Sequence, residues 1–335
     1  MNHIHCHIGV LARERLLRGA AGLVTALVLG SSAAAVFAQP FPSKPIRLIV
    51  SFSAGSTNDI VARSISDKLS AALGQPVLVE NRAGAGGTLG AGLVASASPD
   101  GHTLLVSSSN HTISPAMMSN LPFDTLRDFS GVTMLVVMPV VLVASAQARF
   151  GSVGELIAFG RSNPGKLNYA SAGNGSSTHL NAEKFRVQAA FEAVHIPFKG
   201  TSDGMAEIVG GRVDYMFAPL AATMPFIQSG KLKALAVGSP TRLPQWPIVP
   251  TTAEAGVADY VFWVGLLAPS KTPRAIVERL NAEVAKVLES ADVKARFETL
   301  GARASAMKPE EFDGFIREEL AANQRVVNAA QLKEK

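Results

Sequence analysis

NYASAGNGSSTH, residues 168–179, follows an apolar run and leads into an amphipathic one. That layout is strand, turn and helix start, the repeating unit of α/β proteins. The turn is rich in Gly, Ser and Thr and contains no Lys or Arg. Whatever it holds must therefore be held by neutral donors, meaning backbone N–H groups and hydroxyls.

A counterpart lies upstream. The strand expected from Ile46 to Phe52 runs into Ser53-Ala54-Gly55-Ser56-Thr57-Asn58-Asp59 and then into a helix. A helix N-terminus carries unpaired N–H groups and about half a positive charge, which favours an anion placed there. Gly55, Gly173 and Gly175 let backbone approach a ligand closely. Ser53, Ser56, Thr57, Ser171, Ser176, Ser177 and Thr178 add hydroxyls, so the pair of turns suits a carboxylate. Ser, Thr and Asp at helix starts also serve as ordinary caps, and Asp59 and Thr178 each read that way singly. Two such turns together point beyond capping.

Outward from these turns, short β-branched runs alternate with helical periodicity, which argues for parallel sheets covered by helices. Apolar runs at 132–138 and 140–144 are split by Pro139, and a proline-rich connection at 240–250 precedes a further strand at 262–268. Three helices are expected to close the chain. Chain crossings near Pro139 and Tyr260 would give two lobes, one from residues 39–140 and 262–335 and the other from 141–261. The cleft between them is then the natural ligand site. One large sheet is the alternative.

The first 38 residues read as a cleaved signal peptide: a basic start with Arg13, Arg15 and Arg18, an apolar core from Ala20 to Leu29, and Val36-Phe37-Ala38 at the cleavage position. Export to the periplasm is the expectation. Removing that leader, with its three Arg and Glu14, lowers the formal charge of +5 by two. So small a charge is too diffuse for a nucleic-acid footprint. Cys6, the single cysteine, lies in the leader beside His3, His5 and His7, so neither disulfide nor metal site is expected afterwards. The roughly 300 residues that follow suit about two domains.

Nucleotide and catalytic readings are disfavoured. Neither turn ends in the Lys-Ser/Thr of a P-loop, and Gly90-Ala91-Gly92-Leu93-Val94-Ala95 falls inside an expected helix. Ser177 and His179 could suggest a serine hydrolase, but no Gly-x-Ser-x-Gly elbow occurs and no carboxylate is placed to orient the imidazole. No cofactor is called for.

Several segments in this order resemble the periplasmic substrate-binding proteins of tripartite tricarboxylate transporters, the TctC-like Bug receptors. They include Pro42-Ser43-Lys44-Pro45-Ile46, the Phe52 to Asp59 turn, Glu80-Asn81-Arg82-Ala83-Gly84-Ala85-Gly86-Gly87 and Pro99-Asp100-Gly101. Asn163-Pro164-Gly165-Lys166-Leu167, Ser171-Ala172-Gly173-Asn174-Gly175, Phe198-Lys199-Gly200 and Leu267-Ala268-Pro269 continue the match. The resemblance implies an α/β, two-lobed periplasmic binding protein fold of type II-like, Venus-flytrap form, each lobe a sheet covered by helices. It implies a non-catalytic protein that captures a small carboxylate, whether a di- or tricarboxylate, an aromatic acid or an amino acid, and delivers it to membrane permease subunits. A role presenting the ligand to a sensor kinase is the alternative. By position, the gripping residues would be Ser53, Ala54, Ser56, Thr57 and Asp59 from one side. Ser171, Gly173, Ser176, Ser177, Thr178 and His179 would face them, with Lys199, Gly200 and Thr201 lining the same cleft. Ser56 stands where the family usually has a second glycine, and His102 and Phe198 replace tyrosines. Ala218-Pro219 occupies the place of a frequent Asp-Asn pair, which removes an acceptor for a ligand's ammonium and favours simple acids over amino acids.

Overall fold

Buried runs of Val, Ile and Leu build the strands, and the computed structural model of the chain describes residues 41–256 and 261–333. The leader at 1–38 and the crossing near Tyr260 lie outside the described residues. Strands β1 (Ile46–Val50), β2 (Val77–Asn81) and β3 (Thr103–Ser108) pair in parallel in the order β2-β1-β3. Helices α1 (Thr57–Leu73) and α2 (Thr88–Ala95) connect them. A second parallel set comprises β5 (Leu167–Ser171), β6 (Ala193–Pro197) and β7 (Tyr215–Pro219).

Between the sets runs β4 (Phe129–Ser145), one continuous strand of 17 residues where the sequence suggests two. Residues 129–139 pair with β9 (Val261–Pro269), and residues 140–145 pair with β7 and with β8 (Leu232–Gly238). Among the described residues eight strands thus share one hydrogen-bonded path, β2-β1-β3-β9-β4-β7-β5-β6, with β8 and one further short strand branching from β4. Pro139 sits where β4 changes partners, so its missing N–H costs the ladder little.

The parallel expectation fails for β4, β8 and β9, which pair in reverse. The reversal arises because β9, returning from the second set, is inserted antiparallel between β3 and β4, and β4 in turn pairs antiparallel with β7 and β8. Around the second set stand α4 (Val153–Ser162), α5 (Ser177–Gln188), α6 (Thr201–Val209) and α7 (Leu220–Gln228). The C-terminal segment returns to the first set with α8 (Arg274–Glu289), α9 (Ala291–Thr299), the short β10 (Arg303–Ala304) on β4, and α10 (Pro309–Ala329).

A polar, proline-containing helix escaped the sequence reading: α3 (Asn110–Met117). Pro115 cannot donate to the His111 carbonyl one turn back, and the Thr125 hydroxyl takes that carbonyl instead at 3.1 Å. Glu319 of α10 fastens α3 in place. Its carboxylate accepts from Thr112 Oγ1 at 2.6 Å and from Trp263 Nε1 at 2.8 Å. Burial pushes that carboxyl up to about 7.

Candidate functional site

The sheet edge at which β1, β3, β5 and β7 end is also where their following helices begin. Phe52, Ser108, Ala172 and Pro219 come from those strand ends, and Phe262 joins them because β9 runs in reverse and starts at the same edge. With Ser56, Thr57, Asn58, Ser176, Ser177, Thr178 and Thr201 they line a narrow slot whose cavity volume, about 10 Å³, is room for about one water in this arrangement. The N-termini of α1, α5, α6 and α7 all converge on it. None of the lining side chains is charged. The slot is therefore a pocket of neutral donors, backed by helix dipoles and walled on its apolar sides by two phenylalanines.

The helix starts are not equally capped. At α5 the Ser176 hydroxyl accepts from the His179 N–H at 3.3 Å, an ordinary N-cap. At α1 Ser56 has the extended backbone of a cap, yet its side chain makes no cap bond. Ser56 Oγ and Thr57 Oγ1 are both buried and have no partner among the described residues. A buried hydroxyl without a partner costs about 1–3 kcal/mol, so two at one helix start, both lining the slot, call for a partner from outside the chain, a water or a ligand.

Asp59 turns out to be a brace. It accepts from Gly55 N at 2.9 Å, Arg63 Nε at 2.9 Å and Asn81 Nδ2 at 3.0 Å. Burial opposes its ionisation, but those hydrogen bonds outweigh it and hold the carboxyl below the usual range.

The remaining expected residues divide between the junction and the surface. Ser53 Oγ meets Ser202 Oγ at 3.0 Å, and Ser202 Oγ also donates to the carbonyl of the exposed Ala54. Gly200 passes directly behind Ser53, where a Cβ would collide with its hydroxyl. Gly173 lies against Gly86, a Cβ on the former falling 2.8 Å from the latter's nitrogen. Ser114 Oγ donates to the Gly175 carbonyl at 3.0 Å. These contacts join the β1–β3 side to the β5–β7 side and frame the slot without lining it. Thr201 lines the slot, whereas Lys199 is exposed on an outer groove with Gly86, Asn174 and Phe198.

Phe52, Asn58, Ser108, Ala172, Pro219 and Phe262 were missed as lining residues. One rule would have found most of them: ligands of open α/β sheets sit beyond the carboxyl ends of the strands.

Beneath the 171–179 turn, two imidazoles face each other. His179 of α5 and His195 of β6 stack with centroids 3.9 Å apart and planes 9° apart, and Tyr169 continues the stack against His195. Burial pushes the His179 imidazole down to about 4. Burial, aided by His179, brings His195 down to about 3. His111, buried between Phe123 and Phe129, is pushed by burial to about 3 as well.

These shifts set a pH dependence of stability. For each histidine the unfolded chain binds a proton near pH 6.5 and the folded chain does not, so stability falls as pH drops from 6.5 toward 4. Glu319 works the other way: the folded protein keeps its proton up to about 7, so its contribution declines as pH rises from 4.5 to 7. Asp313, whose carboxyl is also raised by burial, acts with Glu319, but the three histidines outweigh the two carboxyls, and the net loss between pH 6.5 and 4 is on the order of 5 kcal/mol. Melting curves at pH 7 and 4.5 check it; the midpoint should fall by about 10 °C.

Comparison with known proteins gives consistent matches. The family model described as "Tripartite tricarboxylate transporter family receptor" matches residues 61–332. BugT of Bordetella pertussis is 36% identical over 292 residues, covering 86% of this chain and 90% of BugT. The solved structure of the periplasmic binding protein BugD superposes with a TM-score of 0.85 at 30% identity, covering 88% of this chain and all of BugD. MatC from Rhodopseudomonas palustris, solved with bound malate, gives a TM-score of 0.82 at 36% identity, covering 86% of this chain and all of MatC.

Proposed function

The chain belongs to the tripartite tricarboxylate transporter receptor family, and on that premise we propose that it is an exported, non-catalytic receptor for a small carboxylate. It would capture the acid in the slot between two lobes, one from residues 39–140 and 262–335 and the other from 141–261. Closure would be a hinge motion favoured by a ligand that touches both. Delivery to membrane permease subunits in the periplasmic face of the bilayer would follow.

The observation that carries this reading is the unpartnered pair Ser56 Oγ and Thr57 Oγ1 in a slot where four helix N-termini meet. A carboxylate there would accept from both hydroxyls and from first-turn N–H groups. Such charge-assisted bonds are roughly twice as strong as neutral ones. MatC, with malate bound, is a relative whose cargo has this chemistry.

Thermal-shift and calorimetric titration with di- and tricarboxylates, aromatic acids and amino acids tests the proposal. A ligand at about 100 times its Kd should stabilise the protein by about 2.7 kcal/mol. No stabilisation by any organic acid, with the protein folded, would overturn it. The uncharged lining adds a sharper expectation. Burying an ammonium without a carboxylate partner costs several kcal/mol, so succinate should bind at least about 100-fold more tightly than aspartate. Equal affinities in calorimetry would show that the amino group finds an acceptor in the slot.

A further inference from the structure

The 171–179 turn owes its placement to side chains that never reach the slot. Gly173 N–H donates to Ser171 Oγ at 3.0 Å, and Ser171 Oγ lies 2.6 Å from His195 Nε2. Gly175 N–H donates to His179 Nδ1 at 3.3 Å. Both glycines have left-handed backbones, φ 109° and 69°, and both touch the opposite side of the junction, at Gly86 and at Met118. The turn that presents Ser176, Ser177 and Thr178 to the slot therefore hangs from two stacked rings.

His179 acts as an acceptor, and His195 is placed to act as one. His179 Nδ1 takes an amide proton, so its own proton is on Nε2. Ser171 Oγ, having accepted from the Gly173 amide, still carries a proton of its own, and donating it across the 2.6 Å to His195 Nε2 would put that ring's proton on Nδ1. A proton added to Nδ1 of His179 would face the Gly175 N–H, donor against donor. One added to Nε2 of His195 would reverse its bond to Ser171. Two imidazolium rings 3.9 Å apart would also repel. The charged groups around the stack offer little relief: Glu183 of α5 is already engaged by Tyr169 Oη at 2.7 Å and by Arg186 of α5 at 2.6 Å. Tyr169 of β5 supplies another wall, itself packed on Tyr215 of β7.

We propose that His179 and His195 form a neutral, stacked acceptor pair that positions the glycine turn for ligand capture, and that protonating either ring releases the turn. It rests on the receptor reading for its purpose, but its test needs no ligand. On uniformly ¹⁵N-labelled protein, side-chain nitrogen shifts at pH 7 should show His179 as the Nε2–H tautomer and His195 as the Nδ1–H tautomer. On acidification, the Gly173 and Gly175 amide resonances should move with the ring titrations, and their hydrogen exchange, corrected for intrinsic rates, should accelerate at least about tenfold. In His195→Phe the stack survives without its acceptor, and Gly173 should exchange about tenfold faster already at pH 7. His195→Gln, which restores an acceptor oxygen, should regain protection and lose the acid response of Gly173. A charged ring at pH 7, the opposite tautomers, or turn amides indifferent to the ring titration would overturn the proposal. The wild-type titration decides the matter even if a variant fails to fold. Failure to find any binding acid would strike the receptor reading and leave these tautomers untouched.

Discussion

Gly86→Ala should lose at least about 100-fold in carboxylate affinity while remaining folded, a penalty of about 3 kcal/mol or more on the ligand-competent arrangement. The reason lies across the junction. A Cβ at Gly86 would overlap the Asn174 carbonyl oxygen, a backbone atom of the opposing turn that cannot swing aside. The two sides would be propped apart at the point where they must meet. Gly86 also has φ 62°, so alanine there carries a backbone strain of ~1 kcal/mol. Gly74→Ala isolates that strain: Gly74 has φ 70° and nothing within 4 Å of its Cβ position. Calorimetry should find Gly74→Ala slightly destabilised with wild-type affinity and Gly86→Ala deficient in binding. Equal affinities for the two variants would show that the junction does not close on the ligand.

Ser56→Ala combined with Thr57→Val should move stability and affinity in opposite directions. Both hydroxyls are buried without partners, so replacing them by apolar groups of similar shape removes a desolvation penalty. The fold should stay as stable as wild type or gain up to about 1 kcal/mol. Ser56 makes no side-chain cap bond, so α1 loses nothing at its start. The ligand, in contrast, loses two charge-assisted donors and should bind roughly 10- to 100-fold more weakly. Paired melting and binding curves check it. A stability loss above about 1 kcal/mol would mean that the hydroxyls serve the fold.

This double variant also shows where sequence reading stops. Ser56 before a helix reads as a cap from its residue type alone, and its idle side chain becomes visible only in three dimensions. His195 sits on strand β6 with no motif around it, and its partnership with His179 is purely tertiary. By contrast, β5 and α5 were readable to the residue, because an apolar run, glycines and a capping serine leave the chain few local alternatives. Helix α3 stayed hidden because Asn110-His111-Thr112 has poor helix propensity and Pro115 interrupts the pattern. Tertiary partners make that helix tenable, among them the Thr125 hydroxyl, Glu319, the Gly175 carbonyl and the apolar packing of Ile113 and Met117 against Val327. The two turns were legible as strand-to-helix junctions facing one another across a slot, whereas Lys199, read as lining the cleft, lies on the outer groove.

Strand β4 carries a mechanical corollary. Since residues 129–139 belong to one ladder and 140–145 to the next, the receptor's two sides are threaded on a common spindle. Sliding one past the other would shear hydrogen bonds along its whole length, so the closure proposed above would have to be a swivel. Pro139, at the change of partners, is where such a swivel would meet least resistance.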